Sequence, residues 1–190
     1  EASFCGQFMT QLRQSSRQTI AQLCGADSRH AVVFTGSGAT AGLNRLVHLL
    51  GVSQSHDNRP PEEQPLVIIG PYEHHSNILP WRESAAQVVE LQEAAQGGPD
   101  LNQLAQLLQA NAGRLVIGSF SAASNVTGIK TDVVAVSKLL KSHGALSVWD
   151  YAGGAPYMNI DMAAGTEAEI DAVVVSPHKF IGGPGASGVL

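Results

Sequence analysis

Lys179 has the widest chemical scope of any residue in this sequence. It ends Ser176-Pro177-His178-Lys179, which follows an apolar run and precedes Gly182-Gly183-Pro184-Gly185, a segment flexible enough to let another group approach. A primary amine beside a buried phosphate site can form a Schiff base with an aldehyde cofactor, provided its surroundings favour the neutral amine. The alternative is a solvated loop lysine. Asp150 closes the hydrophobic stretch Leu146, Val148, Trp149, a place where an unpaired carboxylate is costly. A protonated ring nitrogen beside it would stabilise both charges; a helix cap or a salt bridge would also satisfy it. His74 offers a flat ring to stack on an aromatic cofactor and a nitrogen to carry protons, or it simply packs.

A second group surrounds the glycines of Gly36-Ser37-Gly38-Ala39-Thr40, which join a strand to a helix start. Free backbone amides and the helix dipole favour a phosphate there, and the Thr40 hydroxyl adds a donor. No lysine follows the glycines, so this is not a Walker-type loop. Gly36-x-Gly38-x-x-Ala41 fits the dinucleotide fingerprint, which keeps an NAD-dependent enzyme as a rival; no acidic residue closes the next strand at Leu66–Gly70. A tight turn without a ligand is the third reading. His74, His75, His178 and Asp150 could suggest a metal, but adjacent residues rarely point the same way and zinc spacings are absent, so no metal site is expected.

Alternating elements must position these residues. Gln7–Leu23 reads as a helix with Phe8, Leu12, Ile20 and Leu23 on one face, stopped by Gly25. Ala31–Thr35 reads as a strand buried on both faces, and Ala39–Leu50 as a helix ended by Gly51. Ser53–Pro65 is a polar loop. Strands follow at Leu66–Gly70 and Val88–Leu91, then a helix capped by Asp100. Leu115–Phe120 is a strand. Next comes a helix capped by Thr131 or Asp132 and ended by Gly144, with strands at Leu146–Trp149 and Ala172–Val175 after it. This alternation predicts an α/β fold, a mostly parallel sheet between helical layers. In such sheets ligands bind beyond the carboxyl ends of the strands. The residues of interest fall there, after one strand and then the next: Gly36–Thr40, Glu73–Asn77, Ser124-Asn125, Asp150 and Ser176–Lys179.

The composition narrows the function further. The 190 residues are 44% hydrophobic and 14% charged, which excludes disorder and suits one buried domain. No apolar run nears the ~20 residues of a membrane span. A net charge of −5 leaves no basic face for nucleic acid. Cys5 and Cys24 make neither a disulfide scaffold nor a zinc site, so a reducing, cytoplasmic setting is expected. Glu1 is not a methionine, and Gly188-Val189-Leu190 reads as a strand entered but not left. The chain therefore reads as part of a longer one.

Taken in combination, Glu73-His74-His75-Ser76-Asn77-Ile78-Leu79-Pro80-Trp81 and Ser176-Pro177-His178-Lys179 followed by Gly182-Gly183-Pro184-Gly185 resemble the fold-type I pyridoxal-phosphate enzymes of the class V aminotransferase group, especially the cysteine desulfurases. The resemblance implies a three-layer α/β/α large domain, here residues 1–190 and incomplete, without the small carboxyl-terminal domain. It implies an enzyme that uses pyridoxal 5'-phosphate on an amino acid, releasing sulfur from cysteine to leave alanine. Aminotransferases and selenocysteine lyases are the related alternatives, and a non-catalytic module of the same fold is a further one. Lys179 is implied to hold the cofactor through a Schiff base and to move the substrate α-proton. His74 is implied to stack on the ring, Asp150 to pair with its nitrogen and Asn125 to bond its phenolic oxygen or the substrate carboxylate side. Gly38, Ala39, Thr40, Ser176 and His178 are implied to hold the phosphate. Gly153 departs from the family, which commonly has a glutamine there. The persulfide cysteine and the carboxylate-binding arginine are expected beyond residue 190, and the complete protein is expected to be a homodimer.

Overall fold

In the computed structural model, which describes residues 3–53 and 59–190, five strands lie side by side. They are β2 (Leu66–Ile69), β3 (Gln87–Glu90), β4 (Val116–Ser121), β5 (Leu146–Asp150) and β6 (Ala172–Val174), in the order β3-β2-β4-β5-β6. All four pairings are parallel. Successive residues of a strand face opposite sides, and here both sides are dry. Leu66, Ile68, Val116, Phe120 and Trp149 enter one apolar cluster; Val67, Ile69, Ile117 and Val148 enter the other. That is why the strands read as unbroken apolar runs rather than alternating ones.

Helices cover both faces. Leu104 and Leu108 of α4 (Leu101–Ala110) pack with Val136 and Leu140 of α5 (Val133–Ser142) over the first cluster. Leu43, Leu46 and Val47 of α2 (Gly38–Leu49), with Trp81 of the short α3 (Leu79–Arg82), cover the second. The result is the expected three-layer α/β/α arrangement. Asp100 caps α4 by accepting from the amides of Asn102 and Gln103 at 2.8 and 3.2 Å. At α5 the cap is Asp132, whose Oδ1 accepts from the Ala135 amide at 2.9 Å. Thr131 instead donates its hydroxyl to the Ser121 carbonyl at 2.7 Å, which holds the end of β4.

One expectation needs correction. The run Ala31–Thr35 does not supply a central parallel strand. Strand β1 is Phe34–Gly36, pairs antiparallel with β7 (Gly188–Val189), and is half-buried to exposed. Val33 continues that pairing through two bonds to Leu190 at 2.7 and 2.9 Å, and Val175 links the pair to the end of β6 by bonds to Val189 of 2.8 and 3.1 Å. A short apolar run has the same pattern at an edge as at the centre of a sheet, so periodicity could not separate the two. The helix α1 (Phe4–Leu23) forms, but it buries no residue. Phe8, Leu12 and Leu23 of its apolar stripe are exposed; only Ile20 and the following Cys24 reach the core. The polar stretch Ser53–Pro65 lies partly outside the described residues; within it, Pro61–Glu63 forms one 3-10 turn.

The chain leaves β2 for the edge strand β3, then returns across the sheet to β4. Strand order therefore reverses between β2 and β4, the place where open α/β sheets leave a crevice at their carboxyl ends. In register, Ser121 of β4 lies beside Asp150 of β5, and Asp150 beside Val174 of β6. The strand ends thus line up along one edge.

Candidate active site

The carboxyl ends of these strands and the start of α2 enclose a cleft of about 270 Å³. All nine residues singled out from the sequence line it: Gly38, Ala39 and Thr40 from α2, His74 from the turn after β2, Asn125 from the loop after β4, Asp150 from β5, and Ser176, His178 and Lys179 from the turn after β6.

The α2 end of the cleft is shaped by backbone. The Ala39 amide donates to Ser176 Oγ at 2.9 Å, which leaves the Ser176 hydrogen free to donate into the cleft. The amides of Gly38 and Thr40 find no acceptor among the described residues, so donors remain at a helix N-terminus. Gly38 has φ +64°, and a Cβ there would lie 2.7 Å from His178 Cε1 and 2.8 Å from Ser176 Oγ. Only glycine permits this close approach of helix start and turn.

The floor is acidic. The Asp150 carboxyl is buried; its Oδ1 accepts from the Ala152 amide at 2.7 Å, and no cation among the described residues lies within ion-pair distance. Burial pushes the carboxyl above its ordinary value, while the Ala152 amide and the charges of Lys179 and His74 pull it back. Neither a salt bridge nor a helix cap, then, explains this aspartate. The Lys179 amine faces the same cleft with no bonded partner among the described residues. A planar group with a basic ring nitrogen, a phosphate and an aldehyde would meet a carboxylate, a donor-rich helix start and an amine. The donor set fits pyridoxal phosphate.

His74 borders the cleft from a 3-10 turn, His75–Asn77. Its Nδ1 accepts from the Ser76 amide at 3.1 Å and touches Ser76 Oγ at 2.9 Å. Gly153 also lines the cleft. A Cβ there would stand 3.8 Å from Asn125 Cα, ordinary contact distance, so the backbone leaves room for a side chain that the sequence lacks.

Sequence reasoning did not assign roles to Glu73, Ser76 or Ser121. Glu73 turns its carboxyl inward beneath the site. Oε1 accepts from the Ser121 amide at 2.9 Å, and Oε2 accepts from Ser121 Oγ and Asn77 Nδ2, both at 2.6 Å. Gly70 clears the space, since a Cβ there would lie 2.7 Å from Oε1. Burial pushes this carboxyl up to about 7; the Ser121 and Asn77 bonds oppose the shift and nearby Asp150 adds to it. Asn77 Oδ1 in turn accepts from Ser119 Oγ at 2.6 Å and from Trp81 Nε1 at 3.2 Å. The turn that carries His74 is thus bolted to β4 and to the core. A glutamate directly before a candidate histidine was the available signal, but its inward direction is a property of the turn. Among the described residues no three His, Cys, Asp or Glu side chains converge as a metal site would require, and no helix is long and apolar enough to cross a membrane.

Known proteins are similar to this chain in sequence and fold. The family model Aminotransferase class-V matches residues 2–190. The chain is 30% identical to the cysteine desulfurase CsdA of Escherichia coli over 97% of its own length and 43% of that protein, and 33% identical to a probable cysteine desulfurase of Pseudomonas putida over the same shares. Among solved structures, a NifS-like protein from Rickettsia africae superposes with a TM-score of 0.80 at 25% identity, covering all of this chain and 49% of that one. The CsdA structure superposes at 0.75 with 28% identity, covering 45% of its chain. The chain spans less than half the length of the relatives it matches. With the match running over nearly every residue and the fold agreeing layer by layer, this chain belongs to the class-V aminotransferase family, whose enzymes depend on pyridoxal phosphate.

Proposed function

We propose that this chain is the cofactor-binding large domain of a pyridoxal-phosphate-dependent enzyme that acts on an amino acid, with cysteine as substrate and alanine as product, releasing sulfur. One observation carries the reading: the buried Asp150 carboxylate has no bonded cation among the described residues, yet shares a cleft with the Lys179 amine and the open amides of α2. The names of the relatives favour desulfuration among the reactions open to the family.

When bound, pyridoxal phosphate supplies an electron sink that labilises bonds at the substrate α-carbon. The chain's residues supply the rest. Asp150 holds the ring nitrogen in its charged form, because a buried carboxylate gains most from a cation it touches. The start of α2, with Thr40, Ser176 and His178, fixes the phosphate. His74 would offer its ring for stacking on the cofactor, and Asn125 would bond the ring's phenolic oxygen or the substrate carboxylate side. Lys179 would hold the cofactor's aldehyde carbon through its amine, and that same amine would be placed to move the substrate α-proton.

Residues 1–190 constitute the large domain in this reading, and a small carboxyl-terminal domain supplies the nucleophilic cysteine and a carboxylate-binding arginine. Val126, Tyr157 and Ile181 are exposed apolar residues, and two of them flank cleft residues: Val126 follows Asn125, and Ile181 lies two positions after Lys179. They support a homodimer that closes the site between two copies. The expected setting is cytoplasmic.

Titrating the protein with pyridoxal phosphate should produce a visible absorbance band and raise the melting temperature, whereas NAD should do neither. Borohydride should then fix the cofactor on Lys179. The Lys179→Ala variant should lose both the band and the fixed adduct; an unchanged band in that variant overturns the assignment. For the full-length protein, alanine and sulfide from cysteine support desulfuration, and a keto acid product replaces it with transamination.

A further inference from the structure

We propose that Ser76 is a positioning residue that reports occupation of the phosphate cradle to the ring of His74. The inference deepens the function above and rests on its phosphate reading of Gly38–Thr40.

Three atoms stand in a row: Thr40 Oγ1, Ser76 Oγ and His74 Nδ1, separated by 2.7 and 2.9 Å. Their hydrogens can be counted. His74 Nδ1 already accepts from the Ser76 amide at 3.1 Å, so in the neutral ring this nitrogen has a lone pair and the hydrogen sits on Nε2. The contact between Ser76 Oγ and Nδ1 must then use the Ser76 hydrogen. A hydroxyl has only one, so the contact between Thr40 and Ser76 must use that of Thr40. With both contacts made, Thr40 has no hydrogen left for the cleft it lines.

A phosphate dianion only accepts. For Thr40 to bind one, its hydrogen has to turn outward. The 2.7 Å contact to Ser76 is then attractive only if Ser76 turns its own hydrogen toward Thr40. That turn withdraws it from Nδ1. A hydrogen bond to an ionised acceptor is roughly twice as strong as a neutral one, so the exchange runs toward the phosphate. The His74 ring is thus held by two donors while the cradle is empty and by one when it is full. The ring proposed to stack on the cofactor is pinned until the phosphate arrives, and its Nδ1 lone pair is then relieved of a donor.

The test follows the histidine nitrogens by ¹⁵N NMR while inorganic phosphate is added. It is run near pH 8.5, about two units above the ordinary histidine value, so that the ring is neutral. Phosphate binding is measured separately by ³¹P line width. In the wild-type protein the His74 Nδ1 resonance should move downfield and saturate at the same midpoint as phosphate binding. Ser76→Ala should still bind phosphate within about tenfold, the span of one neutral hydrogen bond, yet lose the Nδ1 response; Ser76→Thr should restore it. A full response in Ser76→Ala overturns the relay, as does phosphate binding in the wild type with no movement of Nδ1. In either case the cradle stands. No phosphate binding by any form overturns the cradle reading and the relay with it.

Discussion

Two acidic regions of this molecule treat their carboxylates in opposite ways. At the outer edge, Asp27 meets Arg29 at 2.6 Å, and Arg29 also reaches Glu169 at 3.0 Å. The bonds from Arg29 hold the Asp27 carboxyl down at about 2. At the cleft, Asp150 is buried and Glu73 turns inward beneath it; backbone, hydroxyl and amide groups donate to them, neither has a bonded cation among the described residues, and both are pushed up. In the outer group each acid touches a cation. The inner pair has no bonded cation among the described residues, with Lys179 and His74 acting on Asp150 only from a distance, and a ligand carrying a protonated ring nitrogen would supply one. Proximity of acids alone says little; what matters is whether their charge is answered within the fold.

The sharpest way to break this contrast is Asp150→Asn. Removing one partner of a buried ion pair costs about 3–5 kcal/mol, so pyridoxal phosphate affinity, read from its visible band, should fall by roughly 10²- to 4 × 10³-fold. Without ligand the same variant should melt higher than wild type near pH 8, because a buried unpaired charge is gone. A lower melting temperature would mean that Asp150 is already paired.

Glu73→Gln comes next. Its folded value of about 7 lies above the ordinary 4.5, so the folded protein binds this proton more tightly than the unfolded chain. The group's stability contribution is therefore greatest below about pH 4.5, falls as pH rises through about 7, and is constant above. Relative to wild type, Glu73→Gln should gain on the order of 3 kcal/mol between about pH 4 and pH 8 in denaturant titrations. A pH-independent difference would show that the carboxyl is not buried as an acid.

Gly38→Ala should act on shape rather than charge. A side chain at φ +64° costs about 1–2 kcal/mol, and the crowding against His178 and Ser176 should abolish phosphate binding. Gly36, at φ +87° with nothing within 4 Å of its Cβ position, should show the backbone cost and retain binding when changed to alanine.

The smallest effect belongs to Asp27→Asn. Its contribution is present above the unfolded value of 3.8 and is lost as pH falls through about 2. An exposed pair is screened, so the loss in melting temperature should be slight at neutral pH and should vanish in high salt. The Asp150 effect should persist in salt.

Much of this arrangement was legible before folding. The groups at Gly36–Thr40, Glu73–Asn77, Asp150 and Ser176–Lys179 follow strand ends, and a parallel sheet carries all its strand ends to one edge. The helix cap at Asp100 and the breaks at Gly51 and Gly144 could be read because they depend on local backbone chemistry. Ala31–Thr35 could not be placed, since edge and centre share one pattern. Nor could the exposure of Phe8, Leu12 and Leu23 on α1: an amphipathic stripe does not say what covers it. Ser121 and Glu73 escaped notice because they meet across 48 positions of chain, and no spacing encodes that.

The sequence by itself determined the alternation of strand and helix, and hence the layered fold and the edge where the chemistry gathers, because those follow from short-range periodicity and turn chemistry. Only the tertiary structure decided that Asp150 has no bonded cation among the described residues, that Glu73 points beneath the site, and that Ser76 joins Thr40 to His74. Charge balance, burial and the count of available hydrogens depend on which distant residues meet, and the packing of the sheet edge against α2 settles that.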